Sequence, residues 1–442
     1  MIEQAEEIMA VGKQFAKYVS QNILGMVGLS LYILADTFFI SMAEGTNGIT
    51  ALNLVLPIYS LIFAIGAMIG VGSAIRFKIL RVKAEKSADS YFSNALIFAL
   101  VISSIFMILG GLFPSEIVRA LGGDDVIVEV GTGYTRIFML FAPFFMWNHI
   151  CNAFVRNDGA PSVAMTATLV SSIFNIVMDY VLMFPFGLGM SGAALATAIS
   201  PIIGIGICCI HFFSKKSTIC FQLVAPSVKK LLISCQLGVS AFIGEISSGV
   251  TTIVFNMLIL SLVGNVGVAA YGVVANVSLV AVSVFNGVSQ GAQPLVSEQY
   301  GKGEKRAVNK LLFMAIVTAF VLAIWIVAVI YQYAGTIVSI FNSEQDATLA
   351  AYGVTGIRLY FIGFLFAGIN IVGTGFLSAV ENAKMAFISS ILRGFVAIIC
   401  CAILMAELFG MTGVWLAFPV AEFLTVLVTG GALIRQVRAD IG

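Results

Sequence analysis

Twelve unbroken apolar stretches, each long enough to cross a bilayer as a helix, constrain this chain more than anything else in it. They run at about 15–40, 50–75, 91–113, 128–155, 161–184, 190–213, 233–262, 266–294, 308–333, 351–378, 385–406 and 412–434. A spanning helix needs about 20 mostly apolar residues. The runs are continuous and do not alternate between apolar and polar, so they read as helices rather than barrel strands. Clusters of turn residues separate them, such as Gly45, Thr46, Asn47 and Gly48, or Asp158, Gly159, Ala160 and Pro161. Only 10% of the 442 residues are charged and 60% are hydrophobic. That is too little charge to cover a soluble body of this size, which excludes an ordinary cytosolic enzyme, a disordered chain and a disulfide scaffold.

The expected fold is therefore all-α and integral to the membrane, with twelve transmembrane helices. Lys and Arg set its orientation. With both termini cytoplasmic, 19 of the 23 Lys and Arg fall in inner segments, and Arg119 alone falls in an outer loop. Arg136, Arg358 and Arg393 lie inside helices. A multi-pass membrane protein with both termini cytoplasmic is the expectation. The net charge of +1 gives no global field for nucleic acid. Residues 1–17 mix Glu3, Glu6 and Glu7 with Lys13 and Lys17 and do not read as a signal peptide. The seven Cys show no metal-ligand spacing, and Cys151, Cys208, Cys209, Cys400 and Cys401 sit within apolar runs as packing residues.

The chain also repeats itself. Gly45 and Gly48 align with Gly264 and Gly267 at an offset of 219, and Gly72 aligns with Gly291 at the same offset. Met190, Ser191 and Gly192 align with Met411, Thr412 and Gly413 at 221, and Ala153 and Phe154 with Gly375 and Phe376 at 222. Each half holds six spans, an even number, so both halves have the same orientation. The expectation is two six-helix lobes, residues 1–214 and 233–442, joined by a cytoplasmic linker, 215–232. A pseudo-two-fold axis along the membrane normal would relate the lobes, as in transporters. A duplicated chain of this kind can work as a monomer.

Carboxylates inside a bilayer cost about 2.5–3.5 kcal/mol each on insertion scales, so those retained point to function. Asp36 lies about four residues from the outer end of the first span and Asp179 about five from that of the fifth, which puts the two at similar depth. Asn175 is one turn deeper than Asp179 on the same face. Thr197, about 10 Å into the sixth span, completes a polar cluster of Asp36, Asn175, Asp179 and Thr197. The plainer alternative is a structural hydrogen-bond network. The repeat argues against it, because Asp36 aligns with Phe255 or Asn256 and Asp179 with Cys400 or Cys401: the scaffold is duplicated and the acids are not. Glu245 stands alone in the seventh span, beside Ser247, Ser248 and Gly249. With Gln290, Gln293 and Asn256 it makes a candidate substrate or second cation site. Glu407 reads as interfacial and Glu422 as locally paired.

These residues resemble the multidrug and toxic compound extrusion family. The carrying segments are Leu34 to Ile40, Asn175 with Asp179, Gly192 to Thr197, and Gln290 to Pro294 followed by Tyr300 and Gly301. The resemblance implies export of drug-like, often cationic or aromatic compounds in exchange for H+ or Na+. It would make Asp36, Asn175, Asp179 and Thr197 the cation-coupling site, able to take Na+ as well as a proton, and would give Glu245 a cation or substrate role. It implies no cofactor beyond the coupling ion. The sequence departs from the family where Gly238 is followed by Val239 and Ser240 rather than proline, and where Asn370 is the nearest polar residue to an expected tenth-span acid. A lipid-linked oligosaccharide flippase of the same superfamily is the first alternative, but it would need more cationic side chains in its cleft. An integral-membrane enzyme is disfavoured by the lack of a metal-ligand pair or nucleophile constellation. A channel is disfavoured because channels are usually built from several subunits.

Overall fold

The computed structural model describes residues 2–222, 225–342 and 346–441, with side chains for all of these except 2–10, 46, 440 and 441. The side chains of Glu3, Glu6 and Glu7, and Leu223 and Val224 of the expected linker, lie outside the described residues. Among the described residues the regular structure is entirely helical.

Among the described residues nine helices are long and apolar enough to span, and two further spans are bent helix pairs. In chain order they are α1 (Val11–Gly45), α2 (Asn47–Val82), α3 (Ala88–Leu112), α4 (the pair Asp125–Leu140 and Ala142–Asn157), α5 (Pro161–Met183), α6 (Gly189–Phe212), α7 (Val228–Val263), α8 (Asn265–Lys302), α9 (Lys305–Phe341) and α10 (the pair Ala347–Phe361 and Phe364–Ala379). The final stretch, Ala383–Ala439, has 57 residues. That is about 85 Å of helix, nearly three times the hydrocarbon thickness. Gly410 breaks it with φ 58° and ψ −137°, leaving α11 (383–409) and α12 (411–439). The count is then the twelve that the apolar runs predict.

Glycine makes the hairpins. Gly45 and Gly264, which the sequence aligns, have φ of 60° and 74°; Gly189 and Gly410, one residue before the aligned Met190 and Met411, have 50° and 58°. Positive φ is the region that L side chains avoid, so these four reversals fall where a Cβ is absent; Ala84 and Glu381, at φ 56° and 58°, enter that region with a side chain. The bends within α4 and α10 measure 48° and 46°. In α4 the break precedes Pro143, which cannot donate a backbone hydrogen bond. In α10 it falls at Gly363, packed so closely on Phe418 that a Cβ there would approach a ring carbon to 2.5 Å.

Backbone packing divides the chain into two units: Ala16–Ile246, and Ser247–Gly442 with Met1–Phe15. The first half of α7 belongs to the first unit, and glycine explains why. A Cβ on Gly72 of α2 would lie 1.8 Å from Ser234 O, and one on Gly238 of α7 would lie 1.9 Å from Met68 O. The two backbones touch, and Ser73 Oγ donates to Ser234 Oγ at 2.9 Å beside them. In lipid, where hydrophobicity does not drive helices together, such close approach of small residues is a main source of association. Gly66 and Gly70 seat α2 on α4 against Met146, His149 and Ile150 in the same way. Above them Tyr59, Phe63, Phe138 and Phe145 form a ring stack with centroids 4.3–6.3 Å apart. The segment after α6 is stitched to the first unit: Asp158 accepts from Ser217 Oγ at 3.1 Å and Thr218 N at 2.9 Å and bonds His211 Nε2 at 2.8 Å. Asn94 Oδ1 accepts from Ser227 N at 2.7 Å. In the second unit Tyr360 stacks on Phe418 at 4.3 Å, and Gly356 lies against the Trp415 ring.

Candidate cation site

Two packing contacts bring the predicted acids together. At the α5–α6 hairpin a Cβ on Gly192 would come within 2.9 Å of the Leu182 carbonyl carbon, so the two helices lie backbone to backbone and Thr197 faces Asn175. The second contact sets α1 parallel to α5 in constant register. Gln21 meets Ser162 across 141 residues, and Gly28 against Leu169 and Phe39 against Tyr180 (rings 6.2 Å apart) keep the same separation. That register puts Asp36 level with the turn of α5 between Asn175 and Asp179.

All four residues are buried: Asn175 and Asp179 completely, Thr197 and Asp36 nearly so. The Asn175 amide is satisfied with its nitrogen donating to Asp179 Oδ2 at 3.1 Å and its oxygen accepting from Thr197 N and Oγ1, each at 3.2 Å. Asp36 and Asp179 interact electrostatically. One oxygen of each, Oδ1 in both, is buried without a hydrogen-bond donor among the described residues. Two enclosed carboxylates with unmet acceptors are costly unless something positive neutralises them. An alkali cation suits carboxylate, amide and hydroxyl oxygens, and a proton suits the carboxylates alone. No group of three or more His, Cys, Asp or Glu that could hold a metal ion occurs among the described residues.

Sequence reasoning missed the tyrosines beside this pair. Tyr32, one turn before Asp36 on α1, shares a hydrogen bond of 3.1 Å with Tyr59 Oη. Tyr32 and Tyr134 interact with both Asp36 and Asp179, and Tyr59 with Asp36. All three are buried or half-buried, so one side of the acid pair faces hydroxyls mounted on the aromatic stack of α2 and α4. The i, i+4 spacing of Tyr32 and Asp36 was the available signal. Ser172, one turn from Asn175, adds another buried hydroxyl with no partner among the described residues.

The second predicted group is not gathered within one unit. Glu245 lies on the half of α7 that packs with the first unit, is exposed, and acts electrostatically on Tyr32. Asn256 and Gln290 are half-buried and Gln293 buried, all in the second unit. That unit holds a different acid cluster. Glu422 of α12 is 3% exposed. Arg393 Nε donates to its Oε1 at 2.8 Å, and Asn370 Nδ2 to its Oε2 at 2.7 Å. Arg393 sits in a π-helical turn, Leu392–Val396, within α11, the kind of bulge that displaces a side chain from the regular helical face. Glu422 is thus paired locally, as expected, and its charge is met from within the chain. Arg136 and Arg358 are exposed, and Arg358 Nη2 donates to Tyr331 O at 3.3 Å.

The comparisons agree with this architecture. The family model described as MatE matches residues 22–181 and 241–403. A protein named multidrug export protein MepA, from Staphylococcus saprophyticus, is 28% identical over 426 residues, covering 95% of this chain and 93% of its own. The protein of the same name from a Staphylococcus aureus strain is 29% identical over 410 residues, 92% and 89% of the two chains. Among solved structures, an outward-facing multidrug resistance MATE family transporter of the MOP superfamily superposes with a TM-score of 0.91 at 21% identity, covering 97% and 96%. A MOP superfamily transporter from Pyrococcus furiosus, described as having a binding pocket of reversed polarity that suggests a different function, gives 0.90 at 21% identity over 98% and 97%. At those identities the structural likeness concerns fold.

Proposed function

The chain belongs to the MatE family, a membrane transporter rather than an enzyme, and from that premise we propose that it is a secondary active antiporter. It exports drug-like, often cationic or aromatic compounds in exchange for H+ or Na+ by alternating access, and works as a monomer in a bacterial plasma membrane with both termini cytoplasmic. The observation that carries the reading is the enclosed pair Asp36 and Asp179, each with an orphaned oxygen, set against Asn175 and Thr197 in one unit. Homology to proteins named for multidrug export supports the cargo class.

In this reading a cation entering from outside binds between Asp36 and Asp179 and cancels their charge. Thr197 supplies a neutral hydroxyl oxygen, and Asn175, anchored on Thr197, donates to the Asp179 carboxylate and holds it in place. With the charge cancelled, α1 shifts on α5 along the small-residue face of Gly25 and Gly28, and the cargo is released. Each pH unit across the membrane supplies about 1.4 kcal/mol, and each net charge moving inward about 2.3 kcal/mol per 100 mV. Cargo enters against apolar and aromatic walls, where Met and Phe accept varied shapes. Glu245, with Asn256, Gln290 and Gln293, serves as the substrate or second cation site, and the lobes 1–214 and 233–442 rock about the linker 215–232. Arg393 is matched by Glu422, which commits one of the three intramembrane Arg that a pyrophosphate-carrying flippase could use.

Proteoliposomes loaded with a cationic dye test the proposal. An imposed H+ or Na+ gradient should drive dye movement in the wild type. Asp36→Asn and Asp179→Asn should fold, elute from detergent as a single species, and lose gradient-driven transport. Full transport by Asp36→Asn would reject the pair as the coupling site.

A further inference from the structure

A guanidinium is buried without a carboxylate at the opposite end of α1 from Asp36. Arg156, close to the end of α4, is 6% exposed. Its Nη1 donates to Asn22 Oδ1 at 3.2 Å, and among the described residues it makes no other hydrogen bond and no ion pair, although a guanidinium carries five N–H donors. Its Nε is fully enclosed with no acceptor. The acid nearest in sequence, Asp158, is taken up by His211, Ser217 and Thr218. An uncompensated buried charge is strongly destabilising, so this arrangement calls for an anion from outside the chain.

The same side chain lines a cavity between α1, α4 and α5, with Gln21, Asn22, Gly25, Ala164 and Thr168. The polar walls are already committed to the chain. Gln21 Nε2 donates to Ser162 Oγ at 2.8 Å, Asn22 Nδ2 to Tyr18 O at 2.7 Å, and Thr168 Oγ1 to Ala164 O at 3.0 Å. The first turns of α5, the positive end of its dipole, border the cavity at Ala164. No acidic side chain lines it. Its volume of about 20 Å³ holds one water-sized occupant. An anion that sits wholly inside that space is monoatomic; phosphate, an organic carboxylate or a lipid headgroup would reach the guanidinium only from the open mouth. A water molecule would accept one hydrogen bond and leave the charge uncompensated.

We propose that this cavity is a binding site for a single monoatomic anion, chloride, held by Arg156 between α1, α4 and α5. The site does not depend on the antiport reading. Its consequence reaches the cation site all the same, because α1 forms one wall of the cavity and carries Asp36 further along. An anion on Arg156 fixes α1 to α4 and α5 at that end, so the ion steadies the helix on which the coupling acid is mounted.

The test uses the purified full chain in detergent, at constant ionic strength and with choline salts, so that the sodium and proton site is not perturbed. Chloride and bromide should raise the melting midpoint saturably relative to gluconate, and sulfate should not. Arg156→Gln should lose that response, or show an affinity for chloride weaker by about tenfold or more. Crystals of the wild type grown in bromide should show an anomalous peak in the cavity beside the Arg156 guanidinium, which tests the site even if the variant does not fold. Equal midpoints in chloride and gluconate, an unchanged chloride response in Arg156→Gln, or bromide-grown crystals with no anomalous peak beside the Arg156 guanidinium would each overturn the proposal.

Discussion

Buried charge is handled in opposite ways in the two units. Glu422 is matched atom for atom by Arg393 and Asn370, whereas Asp36 and Asp179 each keep an oxygen that nothing in the described chain satisfies. The first arrangement is self-contained; the second, in the proposed reading, is completed by a cation. Glu422→Gln should therefore cost about 3 kcal/mol of stability, because it strands Arg393. The double variant Arg393→Met with Glu422→Met should recover most of that loss, and chemical denaturation of all three forms against the wild type reads the coupling. A double variant as unstable as the single would contradict it. The acids were legible in the sequence because a bilayer makes any retained charge conspicuous. The tyrosines were not, since Tyr59 and Tyr134 look like ordinary interior residues until packing of α2 on α4 aims their hydroxyls at the acids. Arg393 was visible as an intramembrane cation, but its partner lies on another helix and its aim depends on a π-turn that no local pattern announces.

At the scale of elements, glycine decides which helices touch. Gly72 and Gly238 let α2 and the first half of α7 meet backbone to backbone, a contact that the sequence hides, since Gly238 stands out there only because Val239 and Ser240 replace a proline. Gly238→Ala should lower the melting midpoint and expose the α2–α7 contact to cysteine labelling. Gly206→Ala, at a position with nothing within 4 Å, should be neutral or stabilising by up to about 1 kcal/mol, since Ala is the better helix former. Equal effects at the two sites would show that packing is not the cause. Gly45, at φ 60°, should cost about 1–3 kcal/mol on change to Ala through backbone strain alone. Span positions were readable from the apolar runs, and the reversals from their glycine clusters. The bends in α4 and α10 were not, although Pro143 marks the first; the second depends on Phe418 of a distant helix pressing on Gly363.

For the whole molecule, a scaffold built twice carries chemistry once. Gly45 pairs with Gly264 and Gly189 with Gly410 in position and in φ, while the unsatisfied acids occur in the first unit and an internally neutralised acid in the second. In the proposed reading coupling rests on one cluster, and cargo and cation should move in fixed proportion through it. The most direct measurement is cargo-driven counterflow: proteoliposomes given a steep dye gradient and no ion gradient, with sodium or proton flux recorded at the same time. Wild-type protein should move one of the two cations against the dye, and Asp36→Asn and Asp179→Asn should move neither. Dye flux without any opposing cation, or cation counterflow undiminished in Asp36→Asn, would contradict the account.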